Sequence, residues 1–322
     1  MAELQFVSPA DNTAFDIAPG TAATGAQMPV IQAEVRIEGI DPDPTPTATF
    51  QWRVSIQFQC SDCKNGRARE INDEFSFTTV GGKAAINFPR VRGGKLAISV
   101  SVAIPAQSLS IQTNGLHIRG VNPPRDEVNT ACGSLIVQQM VMHESGGRQF
   151  QAPRDGGVSE CPLFSGDHLG GVGLFQITNP APTPEDHWDW LANINHGLQI
   201  LAQKRTSARA YPARVRNSAA FQALVQSFNA GRNPSAQITL PDFTAEQLEL
   251  DATRGYNGWA GRDAFGNVLH EFRVPMDVAG NCAVNVGPDG RGVIAWERVP
   301  GADRPQNTGD PTYVSRVLAQ TP

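Results

Sequence analysis

The chain has 322 residues, 40% of them hydrophobic, with 26 Lys+Arg against 31 Asp+Glu and a formal net charge of -5. Such a length predicts two domains, and the acidic balance excludes bulk attraction to nucleic acid or to an anionic membrane surface. The N-terminus MAELQFVSPADN has no basic region followed by an apolar run, and no stretch is long and apolar enough to cross a membrane, so a chain made in the cytoplasm without a secretory leader or a membrane span is expected.

The first part reads as β. Ile31, Ala33, Val35 and Ile37 alternate with Gln32, Glu34 and Arg36. Phe50, Trp52, Val54, Ile56 and Phe58 alternate with Gln51, Arg53, Ser55, Gln57 and Gln59, and Leu96, Ile98, Val100, Val102 and Ile104 repeat the pattern. Period-two alternation means strands with one buried face. Turn chemistry separates them at Asp41-Pro42-Asp43-Pro44, Gly81-Gly82, Gly93-Gly94 and Asn114-Gly115. The expected architecture is an antiparallel β-sandwich over 1–122, similar in general pattern to an immunoglobulin-like module.

The pattern changes at Gly120-Val121-Asn122-Pro123-Pro124, where a domain boundary is expected, with a mainly α domain over 123–322. From Asp126 the period is helical; Val137, Met140, Val141 and Glu144 fall at spacings of three and four, and Gly146-Gly147 stops the helix. A second helix is predicted from about Asp186, with Trp188, Leu191, Ile194, Leu198 and Leu201 as its stripe. A third follows the caps Asn217-Ser218, carries Phe221, Leu224, Val225 and Phe228, and stops at Gly231. A fourth opens after Pro241-Asp242, with Thr244 as cap and Gln247 three residues on. Residues 280–297 read as an inserted hairpin turning at Pro288-Asp289-Gly290.

Chemistry concentrates at Glu144. With Met140 and Val141 one turn back, its carboxylate loses solvation when ionised, so the group can hold a proton near neutral pH and serve as a general acid. Against that stands the ordinary fate of a Glu at a helix end, a solvated surface group.

A series of short motifs in order over nearly all of 126–320 resembles the goose-type lysozymes and soluble lytic transglycosylases. His143-Glu144-Ser145-Gly146-Gly147 looks like that family's helix-ending Glu-Ser, and Gly173-Leu174-Phe175-Gln176-Ile177 looks like its Gly-Leu-Met-Gln motif. Asn193-Ile194 with Gly197 and Ile200-Leu201 is similar to the following helix, and Tyr313-Val314 with Val317-Leu318 to the closing one. The resemblance implies a lysozyme-like fold that cuts the β-1,4 bond between N-acetylmuramic acid and N-acetylglucosamine in peptidoglycan. Glu144 would be the acid, Ser145 would hydrogen-bond near it, and Gln176 would line the sugar groove. Gly166-Asp167 stands where goose-type enzymes carry a Gly-Asp, so Asp167 would position or activate water for hydrolysis, with the two carboxyls about 6.5–9.5 Å apart. An Asx-turn is the alternative for Asp167, and Asp155 is a weaker candidate for the base. A further acidic residue of some goose-type enzymes is replaced here by Thr178. Lytic transglycosylases lack the second carboxylate and close an anhydro ring instead, so that chemistry stays open.

For the family's Ala-Tyr-Asn-Ala-Gly motif two segments compete. Ser227-Phe228-Asn229-Ala230-Gly231 keeps the spacing without the hydroxyl, and Arg254-Gly255-Tyr256-Asn257-Gly258 keeps Tyr and Asn. A phenol donates a hydrogen bond and a phenyl ring does not, which favours Tyr256 and Asn257 as substrate-binding residues and Phe228 as packing.

Cys60-Ser61-Asp62-Cys63 is half a zinc site without a second cysteine pair, so a loop disulfide or plain thiols are expected there. Cys132, Cys161 and Cys282 leave room for one bridge. The six histidines show no pair at ligand spacing, so neither metal nor cofactor is expected. Among the tryptophans, Trp188 reads as core, Trp190 and Trp296 stay open, and Trp259, between glycine-bearing segments, is the best candidate for stacking on sugar. The implied partner is peptidoglycan, reached at the bacterial wall after injection or lysis. A β module ahead of such an enzyme suits an antibacterial effector or phage-type lytic enzyme, with a cognate immunity protein or delivery machinery. The rival from another class is a glycan-binding structural part of a phage tail or secretion apparatus.

Overall fold

The computed structural model describes residues 2–59, 70–105, 107–152, 157–166, 170–230, 238–257, 270–272, 292–293, 296–298, 310 and 312–322. It is β-rich toward the N-terminus and has seven helices among the described residues. Two compact units divide the chain, Met1–Gly197 with Thr321–Pro322, and Leu198–Gln320.

In the first unit β1 (Glu3–Ser8), β3 (Ile31–Glu38) and β6 (Lys83–Ile86) form an antiparallel sheet in the order β1-β3-β6. The second sheet orders β10 (Val158–Ser159), β9 (Leu116–Val121), β7 (Gly94–Ile104), β4 (Thr49–Gln59) and β5 (Glu70–Val80). β8 (Gln107–Gln112) pairs with β7, and β2 (Ala14–Asp16) with β9. The alternation seen in the sequence is the cause: Phe50, Trp52, Val54, Ile56 and Phe58 are all buried, while Gln51, Arg53, Gln57 and Gln59 between them are exposed. The expectation of a purely antiparallel arrangement needs correcting. β2 runs parallel to β9, Ala14 opposite His117, which the long intervening chain permits and a tight hairpin does not.

Gly120–Pro124 marks a change of secondary structure without a break in packing. After α1 (Arg125–Cys132) and α2 (Leu135–Ser145), the chain returns to the sheet, where Val158 pairs with Val121. Trp188, wholly buried at the end of α3 (Pro184–Trp188), meets the Phe58 ring edge-on at 5.2 Å and the Phe150 ring at 5.7 Å. A Cβ at Gly93 would lie 2.1 Å from the Trp188 ring, and one at Gly120 would lie 2.2 Å from that of Phe150. Arg92, 3% exposed, bonds the Glu185 carboxylate and lies 3.6 Å from that of Asp73; its guanidinium holds Glu185 below the usual carboxylate range. Residues from α3 and the loop before it thus pack into the core of the 1–122 segment.

Two long helices expected from the sequence are each broken. Gly133, at φ 74, divides α1 from α2. Asp189 divides α3 from α4 (Trp190–Arg216) by accepting from the Leu191 and Ala192 amides. Burial raises the Asp189 carboxyl, and those amide bonds oppose the rise.

The second unit contains the rest of α4, with α5 (Ala219–Asn229), α6 (Ala245–Tyr256) and α7 (Tyr313–Leu318). It also holds the short strands β11 (Ile238–Thr239), β12 (His270–Phe272), β13 (Gly292–Val293) and β14 (Trp296–Arg298). Tyr211, Phe243 and Trp296 pack with centroids 4.7 to 6.0 Å apart, and Arg205 grips Glu249 with two nitrogens. Ser218 caps α5, accepting from Phe221 N at 3.2 Å. Thr244 and Gln247 form the reciprocal cap of α6, each side chain accepting from the other's amide at 3.2 and 3.0 Å. Thr244→Ala is expected to lower stability by about 1 kcal/mol, read as a shift of the denaturation midpoint. The turn at Pro288-Asp289-Gly290 lies outside the described residues, as does Gly231.

Candidate functional site

The candidate site starts at the end of α2. Val137, Met140 and Val141 are buried, and Glu144, continuing the same row, is half-buried in the last turn. Gly146 ends the helix in the left-handed region at φ 64, donating to Met142 O at 3.0 Å. Ser145 is 5% exposed; its hydroxyl donates to Val141 O at 2.9 Å and accepts from Gly147 N at 3.2 Å. The Ser145 side chain thus closes its own helix end.

The segment after Glu144 carries Gln149, wholly buried. Its amide donates to the carbonyls of Asp186 and His187 at 2.9 and 3.0 Å and accepts from Leu174 N at 3.3 Å. Asn193, also wholly buried on α4, donates to Val172 O at 2.9 Å and accepts from Phe175 N at 2.9 Å. Two buried carboxamides therefore satisfy the backbone of the Gly173-Leu174-Phe175 turn, which has no sheet or helix to do so. Gly173 is required twice over: its φ is 70, and a Cβ would lie 2.5 Å from Gln149 Oε1. On α4, a Cβ at Gly197 would lie 2.2 Å from the Phe175 ring, so the glycine lets turn and helix close together. Asn122 supports the same frame, accepting from the Gln149 and Phe150 amides at 2.8 Å each. Below it, Asp186 is 2% exposed and accepts from Thr183 N at 2.6 Å, with His196 Nδ1 at 2.9 Å.

Gln176 sits at φ 49, an uncommon conformation for a residue with a side chain. Its amide donates to Gly173 O at 2.7 Å, so this side chain stabilises its own turn. Tyr256 is half-buried as the last residue of α6, and Asn257 Oδ1 accepts from Asp310 N at 2.7 Å. Both belong to the second unit, whereas Glu144, Ser145 and Gln176 belong to the first. Phe228 is 8% exposed. Asp167, Asp155, Trp259, Cys60, Cys63 and Cys282 lie outside the described residues. Trp190 and Trp296 are buried with their indole N–H groups donating to Pro19 O and Pro241 O, so neither presents a face for stacking, and Trp188 is core. Cys132 is a free buried thiol, pushed up to about 12 by burial, which keeps it in the unreactive form.

Sequence reasoning missed Gln149, Asn122 and Asp186, isolated polar residues without any periodic signal. Asn193 and Gly197 carried one, since both stand one turn apart in the helix that the motif series singled out. Among the described residues no group of three or more His, Cys, Asp or Glu is placed to hold a metal ion, and no helix is long and apolar enough to cross a membrane. Compared with family models, with curated proteins and with solved structures, the chain gives no match.

Proposed function

We propose that the chain is a muramidase, hydrolysing the β-1,4 bond between N-acetylmuramic acid and N-acetylglucosamine in peptidoglycan. On this reading a domain like the goose-type lysozymes comes after an immunoglobulin-like β module. The observation that carries the proposal is Glu144, half-buried at the end of an apolar helical row, directly ahead of the segment that pins the Gly173-Leu174-Phe175 turn. A carboxyl so placed is partly desolvated, which favours the protonated form that a general acid needs.

Glu144 donates its proton to the glycosidic oxygen as the bond to the muramic acid anomeric carbon breaks. Asp167 positions or activates the water that attacks the opposite face of the oxocarbenium-like sugar. Such an enzyme works at the bacterial wall, as an antibacterial effector with a cognate immunity protein or as a phage-type lytic enzyme.

Digestion of purified peptidoglycan with mass spectrometry of the fragments tests the reaction. Reducing N-acetylmuramic acid ends are expected. Products ending in 1,6-anhydro rings would make the chain a lytic transglycosylase, and the absence of soluble fragments would leave it a glycan-binding structural component.

A further inference from the structure

The outer face of the larger sheet is polar along its length. On β4 the outward side chains are Gln51, Arg53, Ser55 and Gln57, and the pairing registers set them in rows across four strands. Gln51 stands between Thr78 and Ser101, with Ser110 beyond, and Arg53 stands between Ser76 and Ser99, with Gln112 beyond. Short hydroxyls and carboxamides fill these rows. Of the apolar residues between these rows, Trp52 and Val100 are 1% exposed each, and Phe77 and Ile111 are half-buried.

The face also carries shallow, open depressions. Two clefts of about 650 and 680 Å³ lie over it, sharing Arg53, Ser99 and Gln112 as lining, and so form one groove along β4 and β7. Each is of the size that holds a small molecule, about 300–1,000 Å³. From Gln51 to Gln57 the strand rise of roughly 3.3 Å per residue makes the groove about 20 Å long. Its central charge is neutralised, Arg53 Nη2 lying 2.6 Å from Glu74 Oε2. Lys95 and His117 lie at one end, His117 Nδ1 standing 3.4 Å from Glu160 Oε1. Ser99 donates to Gln112 Oε1 at 2.9 Å, which fixes that carboxamide with its NH₂ group turned away from the serine.

We infer that this groove binds an N-acetylated polysaccharide strand along β4 and β7, a site separate from the Glu144 region. A neutral, elongated ligand whose edge is hydroxyl and acetamide matches a neutral, elongated floor of hydroxyls and carboxamides. Each Gln amide both donates and accepts, and so pairs with an acetamide in both directions. A nucleic acid would need an excess of cations, which the groove lacks.

The test is co-sedimentation of the full chain carrying Glu144→Gln, which prevents cutting, with insoluble chitin, purified peptidoglycan sacculi and cellulose. Retention on chitin and sacculi above cellulose is expected. Adding Gln51→Ala and Gln112→Ala, both exposed strand positions, is expected to lower retention about tenfold, the loss of two hydrogen bonds, at unchanged melting temperature. A second pair, Thr78→Ala with Ser110→Ala, removes hydroxyls from the same row, must weaken retention as well, and guards against a folding defect in the first. Equal retention of wild-type and groove variants, no retention on any solid, or equal retention on cellulose each overturns the inference. Because retention is compared between groove variants that share one background at position 144, the result is independent of whether Glu144 is a catalytic acid.

Discussion

Glu144→Gln is expected to reduce the release of reducing ends from peptidoglycan by about a hundred- to ten-thousand-fold, the usual contribution of a general acid. The substitution keeps the shape of the side chain and removes only the transferable proton. The residue is half-buried and the substitution nearly isosteric, so the fold is expected to be kept. Measurement of new reducing ends against time checks the first part, and an unfolding curve the second. Full activity in the variant would end the muramidase assignment. Asp167→Asn, assayed alongside, separates the chemistries, because a hydrolase slows when its water loses its base and a transglycosylase does not.

The largest loss of stability is expected from Asn193→Leu. The substitution is close to isosteric, so little cavity forms, but it strips the Phe175 amide of its acceptor in a wholly buried place. Val172 O keeps the Ile177 amide at 3.1 Å and Asp186 O keeps Gln149, so one orphaned donor dominates the cost, about 1–3 kcal/mol, with the lost bonds of the Asn amide adding to it. Chemical denaturation checks the size. The turn's position after Glu144 has a second consequence: hydrolysis should fall in the folded variant too, since a loosened wall misplaces the sugar ring. A variant as stable as the parent would mean that the turn is held by packing alone.

Much of the β-rich part was legible because period two leaves no alternative: a one-residue slip would turn Phe50, Trp52, Val54, Ile56 and Phe58 outward together. Ser218 and the Thr244–Gln247 pair were legible for the same kind of reason, since a cap is decided within one turn of chain. The helix breaks at Gly133 and Asp189 were not, because apolar spacing continues across both and only the φ of one residue and the side-chain bonds of the other end the helices. In the candidate site, the helix end that carries Glu144 and the Gly173 turn could be read, and the backbone bonds of Ser145 and Gln176 could not. Both have polar groups able to reach a ligand, and in both the nearest backbone group claims them first. The frame made by Asn122, Gln149, Asn193 and Asp186 draws on residues far apart in the chain, and no local pattern announces it.

The paired ring-to-glycine contacts at Gly93 with Trp188 and Gly120 with Phe150 carry a consequence for how such a chain changes over time. A backbone without a side chain on one partner and a large aromatic on the other form a lock whose halves must be inherited together. A foreign strand-rich portion joined at the proline pair would need glycine at both places, since a Cβ at either would enter space that an indole or phenyl already fills.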